Sequence, residues 1–256
     1  MKILVCGDVV GRAGRRAVIE RLPRLRADLG LDVVIVNGEN AAGADLITTG
    51  NHVFDQRELV SHIERDTRLI RPLNMLPGTP GRGSAELHLA DGRKVLVVQV
   101  MGRLFMGAYE DPFGALDSLL AKHPLGAAVD AIVVDVHAEA TSEKTALGHL
   151  ADGRASLVVG SHTHVPTADG QILPGGTAYL SDVGMTGDYD SVIGMTKEIA
   201  LQRFRSHVPG PRLTPAMGEA TLCAVYVETD ERTGLARRIA PLRLGGRLSE
   251  AVPDGG

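Results

Sequence analysis

Tryptophan is absent from this 256-residue chain, and its only large aromatics are four phenylalanines and four tyrosines. Binding single-stranded nucleic acid by stacking requires aromatic faces in series, so this class of function is disfavoured. Only two cysteines occur, Cys6 and Cys223, and the expectation is two buried thiols in a reduced compartment rather than a disulfide framework. Neither sign of charge dominates. The 27 Lys and Arg against 31 Asp and Glu leave a net charge of -4, which gives no general footprint for a nucleic-acid backbone or an anionic membrane. Met1-Lys2 is followed by only a few apolar residues before Asp8, too short for the apolar region of a signal peptide, and no run approaches membrane-spanning length. The expectations are therefore a cytoplasmic location, no membrane contact and no stable nucleic-acid complex.

Apolar residues make up 44% of the chain, enough for one large α/β domain over 1–256, with a tail expected to fray from Arg247. Lys2 to Cys6, a helical pattern over Arg15 to Leu29, and Val33 to Val36 read as a βαβ opening. Ala85 to Leu89 and Lys94 to Val100 flank Asp91-Gly92, a hairpin signal, so an antiparallel part follows the parallel one. Helices are predicted over Phe113 to His123 and near Lys197 to Ser206. Strands are predicted over Ala131 to Val136, Leu157 to Val159, Thr177 to Leu180, Ala220 to Glu228 and Ala236 to Leu244. Two packed mixed sheets with outer helices accommodate this order better than one doubly wound sheet. Gly184 to Gly218 reads as a flap or as a contact in a homo-oligomer.

The most informative pattern is where the apolar runs stop. They end at Gly7-Asp8, at Asn37-Gly38-Glu39-Asn40, at Gly50-Asn51-His52, at His137 and at Gly160-Ser161-His162-Thr163-His164. Open α/β sheets place ligands beyond the carboxyl ends of their strands, so five such endings are expected to converge. Oxygen and nitrogen donors without thiolate suit Mn, Fe, Co or Zn better than iron–sulfur chemistry. Each residue also has a plainer reading. Asp8 taken singly could be a helix N-cap, Glu39 and Asn40 polar turn residues, His137 a satisfied core histidine and His52 a surface loop residue; their joint occurrence favours the site. Gly7 to Gly14 matches neither Gly-x-Gly-x-x-Gly nor the P-loop, although Arg12 could meet a substrate phosphate.

In order and spacing these blocks resemble those of the calcineurin-like metallophosphoesterases. Within that superfamily Gly38-Glu39-Asn40-Ala41-Ala42, the run Asp135 to Lys144 and the run His162 to Asp169 resemble the YmdB-type phosphodiesterases. The resemblance implies an αββα sandwich of two mixed sheets flanked by helices. It also implies two metal ions per chain, iron or manganese first, zinc or cobalt as alternatives. Asp8, Glu39, Asn40 and His164 would hold one ion and Glu39, Asn51, His137 and His162 the other, with Glu39 bridging. Asn40 would replace the imidazole that the wider superfamily carries in its first block, where Asp8-Val9-Val10 offers none. The implied reaction is hydrolysis of a phosphodiester, a 2',3'- or 3',5'-cyclic nucleotide, by metal-bound hydroxide with His52 as general acid, its ring oriented by Asp55. Glu139 is a candidate outer partner of His137, and Thr141 or Ser142 a candidate cap of the helix that follows.

Two alternatives are a phosphomonoesterase of nucleotidase type with the same metals, and a metal-binding regulatory or RNA-associated protein. One stretch conflicts with the family pattern. If Val33 to Val36 and Leu46 to Thr49 are parallel neighbours, their link should hold a crossover of a dozen or more residues, usually a helix. Only a few residues separate Asn40 from Leu46, so either the strands are not parallel neighbours or a covering helix is absent.

Overall fold

A computed structural model describes residues 1–38, 43–55, 57–208 and 210–254. The strands are β1 (Lys2–Cys6), β2 (Asp8–Val9), β3 (Val33–Asn37), β4 (Leu46–Thr48), β5 (Leu69–Ile70), β6 (Ser84–His88), β7 (Lys94–Met101), β8 (Ala131–His137), β9 (Leu157–Ser161), β10 (Gln171–Ile172), β11 (Ala178–Leu180), β12 (Met185–Asp188), β13 (Ala220–Thr229) and β14 (Ala236–Leu244). The helices are α1 (Gly11–Leu29), α2 (Arg57–His62), α3 (Pro112–Lys122), α4 (Thr141–Leu150) and α5 (Lys197–Arg205), with a 3-10 turn at Gly50–His52.

The strands form two mixed sheets, as expected. One has the order β2-β12-β13-β1-β3-β4-β5 with β14 paired to β13, and the other the order β10-β11-β9-β8-β7-β6. Strand alternation explains how they stack. Ile3, Val5, Val33 and Ile35 of the first sheet meet Val95, Val97, Val133 and Leu157 of the second in a shared core. The intervening Leu4, Cys6, Val34 and Val36 face outward under Val18, Leu22 and Leu25 of α1. On the far side Leu96, Val134, Val136 and Val158 lie under Leu116 and Leu120 of α3 and Leu147 of α4. Both faces of these strands are covered, so they read as continuous apolar runs, and each fully buried Val, Leu or Ile contributes roughly 1.5–3 kcal/mol. No helix among the described residues is long and apolar enough to cross a membrane.

The parallel strands β1, β3 and β4 of one sheet, and β7, β8 and β9 of the other, carry the ligand-bearing ends. β3 and β4 are parallel neighbours, with Ile35 opposite Leu46. The possibility that they are not neighbours is thereby overturned. Their link shows no helix among the described residues. In its place Asp45 fixes the start of β4: its N–H donates to Val34 O at 2.9 Å, and its carboxylate accepts from Val34 N at 2.7 Å and from Arg26 of α1 at 2.5 Å.

One other expectation is corrected. α1 starts at Gly11 rather than Arg15, because Gly14 N already donates to Val10 O at 3.2 Å. In the described part of the tail Arg243 and Ala251 exchange backbone hydrogen bonds of 2.7 and 3.0 Å, and Pro253 is buried.

Candidate metal centre

A cleft of about 740 Å³ opens at the carboxyl ends of the two sheets, lined by Asp8, Asn51, His52, His137, His162 and His164. Glu39 and Asn40, the expected bridge and the expected replacement ligand, lie outside the described residues.

Three of the expected ligands meet directly. His137 Nε2 is 2.9 Å from Asn51 Oδ1 and 3.2 Å from His162 Nδ1. The protons around this trio can be placed from their neighbours. Ser161 Oγ donates to Asp135 Oδ1 at 2.7 Å, so its proton is used, and His137 Nδ1–H must donate to Ser161 Oγ at 2.9 Å. Burial, then the charges of His162 and Lys144, hold the His137 imidazolium well below the ordinary range, so the ring is neutral and its Nε2 carries a lone pair. His162 Nε2 faces Glu139 Oε2 at 3.3 Å, which places its proton there and leaves Nδ1 a lone pair; burial lowers this imidazole too. Asn51 points its amide nitrogen toward His52 Nε2 at 3.5 Å, so its oxygen is the atom that faces His137.

Two acceptor atoms from separate chain segments, Asn51 Oδ1 and His162 Nδ1, therefore both face the lone pair of His137 Nε2. A cation satisfies such a group, and each imidazole has its other nitrogen bound to an outer partner, as metal-ligating histidines do. His164 follows the same rule: its Nδ1–H donates to Ile193 O at 2.8 Å, leaving Nε2 with a lone pair. The residues thus fit the expected group. Among the described residues, no three His, Cys, Asp or Glu side chains gather around one point; the third member of the trio is an amide, and the expected carboxylate bridge is Glu39.

Asp8 is buried at the start of β2, where its Oδ2 accepts His162 N at 3.0 Å and its Oδ1 lies 3.8 Å from His137 Nδ1. Burial raises its pKa to about 6, with His164 opposing the rise. The carboxylate still dominates at pH 7.

The loop carrying the last two histidines is not extended. His162 and His164 have φ of 97° and 66°, in the left-handed region, and both line the cleft. The loop is held from below. The Asp182 carboxylate accepts Thr163 N at 3.1 Å and Thr163 Oγ1 at 2.8 Å, and it pairs with the buried Lys144 Nζ at 2.7 Å. Tyr189 Oη donates to His164 O at 3.2 Å.

A second buried network lies beneath the trio. Gln99, Asp135 and Val159 are neighbours in register across β7, β8 and β9. Gln99 Nε2 donates to Asp135 Oδ2 at 2.7 Å, while its Oε1 accepts Thr49 N at 3.3 Å and Gly50 N at 3.0 Å, which sets the segment leading to Asn51. Asn37, from the other sheet, donates to Ser161 Oγ at 3.0 Å and to Asp135 Oδ2 at 3.3 Å. Gly50 has φ 70°, and a Cβ there would lie 2.5 Å from His137 Cε1, so only glycine allows this approach.

Sequence reasoning missed Asp135, Gln99, Ser161, Lys144 and Asp182. The available signal was polarity inside apolar runs, at Gln99 and Asp135. Two outer contacts differ from expectation. Glu139 pairs with His162 rather than His137, because His137 Nδ1 is taken by Ser161. Neither Thr141 nor Ser142 caps α4; the cap position is Ala140, with no side-chain bond, and Glu143 accepts Arg103 N at 2.9 Å and Leu104 N at 3.2 Å. His52 and Asp55 are exposed, and their Nδ1 and Oδ2 lie 2.8 Å apart.

Over nearly its full length the chain is similar to known proteins. The family model described as YmdB-like protein matches residues 4–242. A Bacillus subtilis (strain 168) protein named 2',3'-cyclic-nucleotide 2'-phosphodiesterase is 44% identical over 255 residues, covering 93% of this chain and 95% of its own. A crystal structure of a hypothetical protein from Thermus thermophilus superposes with a TM-score of 0.88 at 44% identity, covering 95% of this chain and 99% of that one. That of a phosphatase from Mycoplasma pneumoniae gives 0.85 at 32% identity, over 95% and 93%.

Proposed function

The chain belongs to the YmdB-like protein family, and on that premise we propose that it is a metal-dependent phosphodiesterase whose substrates are cyclic nucleotides, the 2',3' class first. The observation that carries the reading is the convergence of Asn51 Oδ1 and His162 Nδ1, both acceptors, on His137 Nε2 at the floor of the cleft.

In the proposed arrangement Asn51, His137 and His162 would hold one ion and Asp8, Asn40 and His164 another, with Glu39 as the ligand both would share. Such ions, when bound, polarise phosphoryl oxygens and lower the pKa of water. The remaining work falls to the chain's own groups. Because the His and Asn donors are neutral, they would leave the charge of bound ions uncompensated toward a phosphate anion. Ser161, Glu139 and Ile193 each hold an imidazole in one tautomer, so the donor atoms need no reorganisation when a substrate arrives. His52, exposed on the cleft wall and held by Asp55, donates the proton that the leaving alkoxide requires, a contribution of about 10²- to 10⁴-fold.

The test is metal analysis of the purified protein together with hydrolysis of bis-p-nitrophenyl phosphate and of 2',3'- and 3',5'-cyclic nucleotides. The wild type, Asp8→Ala and His52→Ala are compared. The reading expects two metals per chain in the wild type, loss of metal in Asp8→Ala, and retained metal with slowed turnover in His52→Ala. Less than one metal per wild-type chain, or undiminished turnover in both variants, contradicts it.

A further inference from the structure

One turn at the cleft carries a residue that its backbone does not favour. Val192 and Met195 exchange backbone hydrogen bonds of 2.9 and 3.0 Å across Ile193-Gly194, and both central residues have positive φ, 46° and 91°. Two-residue turns of this hand take Asn, Asp or Gly at the first central position, because a β-branched side chain there crowds its own backbone. Core packing does not account for the isoleucine, since it is 54% exposed. A strained residue that is not buried points to a function.

Its surroundings define that function. Ile193 lines the cleft with Val10, Met195, Leu213 and Pro215, a wall distinct from the polar floor of Asp8 and the three histidines. The Ile193 carbonyl accepts the His164 N–H at 2.8 Å, so wall and floor are tied through one peptide. A Cβ on Gly194 would fall 2.7 Å from Val10 Cγ1, so the turn seats directly against the residue preceding α1. The cleft, at about 740 Å³, lies within the size range of sites that enclose a whole small ligand. A phosphate group alone would leave the apolar side unused.

We infer that Ile193 is a specificity-determining residue: with Met195 and Leu213 it forms the wall on which the base of a cyclic nucleotide rests while the cyclic phosphate sits at the histidine floor. This rests on the phosphodiesterase reading above and adds the site of the base. The five wall side chains offer no N–H or O–H donor and no oxygen acceptor, so the wall contacts the face of a base and does not read its edge. Purines are therefore favoured over pyrimidines through contact area, and this wall by itself discriminates weakly between base substituents.

The test uses Ile193→Asn and Leu213→Ala. Asparagine is favoured in the left-handed region, so the turn and its carbonyl to His164 are retained while the apolar side chain is lost. The first readout is kcat/KM for 2',3'-cyclic adenosine monophosphate divided by that for ribose 2,3-cyclic phosphate, which lacks the base. The ratio is expected to fall about tenfold in each variant, through KM, with metal content unchanged. The second readout needs neither metal nor turnover: NMR saturation transfer from protein methyl groups to free adenosine, on metal-stripped protein. Transfer is expected in the wild type and strongly reduced in Ile193→Asn. An unchanged ratio in both variants, or no transfer in the wild type, overturns the inference. Transfer that depends on Ile193 in a protein that hydrolyses neither compound sustains the wall and overturns the phosphodiesterase reading.

Discussion

Lys144→Met removes one half of the most deeply buried ion pair described in the molecule. The side chains of Lys144 and Asp182 are 0% and 1% exposed, and Nζ lies 2.7 Å from Oδ2. Methionine keeps an unbranched apolar stem, so the principal loss is the charge facing Asp182. Removing one partner of a buried pair costs about 3–5 kcal/mol, because the other charge is left uncompensated. Asp182 retains Thr163 N, Thr163 Oγ1 and Gly184 N as donors, at 3.1, 2.8 and 2.8 Å, which places the expected loss near the lower end, about 3 kcal/mol. Because the same carboxylate anchors the loop of His162 and His164, metal affinity should fall with stability. Urea unfolding of metal-stripped protein measures the first without a contribution from ligand binding, and metal titration of the folded protein measures the second. The double variant with Asp182→Asn should be less destabilised than the sum of the singles by about 0.5–3 kcal/mol. A loss below about 1 kcal/mol in Lys144→Met, or additivity in the double variant, would refute the reasoning.

Two further predictions concern other parts of the molecule. Ser161→Ala deprives His137 Nδ1–H of its acceptor and Asp135 of a donor, and it should weaken metal affinity about 10- to 100-fold while the far-ultraviolet circular dichroism is unchanged; affinity equal to wild type in a chelator competition would exclude this role of Ser161. Burial raises the Cys223 thiol from 9.0 to about 11, so the folded state holds this proton more tightly than the unfolded chain, and the contribution present below pH 9 is lost as the pH rises toward 11. The slope is about 1.4 kcal/mol per pH unit, and Cys223→Ala should flatten it in alkaline unfolding curves; identical curves for variant and wild type would contradict the shift.

The strand endings were legible because covered strands show as unbroken apolar runs, and a polar residue directly after such a run lies at the sheet edge. The two mixed sheets with outer helices followed from the same runs and from the antiparallel pair around Asp91-Gly92. The outer partners were not legible. Asp135 reads in sequence as a lone charge inside a strand, and it gains meaning only when Gln99 and Ser161 come beside it across the sheet and Asn37 reaches it from the other sheet. Lys144 lies in a Thr-Ser-Glu-Lys stretch that reads as a helix start, yet the fold buries it against Asp182, thirty-eight residues away. The left-handed φ of His162 and His164 occurs in a loop held by Asp8 at His162 N, by Asp182 at Thr163 N and by Tyr189 at His164 O, contacts that no local pattern encodes. The parallel pairing of β3 and β4 across a short link was the least expected feature, and Asp45 supplies a local means of pinning it.

The central claim is that the histidine floor hydrolyses a cyclic phosphodiester only when it holds metal. Phosphorus NMR of 2',3'-cyclic adenosine monophosphate, with the protein as purified, after chelation and after reloading with manganese or iron, tests it most directly. Conversion to a nucleoside monophosphate that stops on chelation and returns on reloading is the predicted result. Conversion that continues at the same rate in fully stripped protein, or no conversion in the reloaded protein, would contradict it.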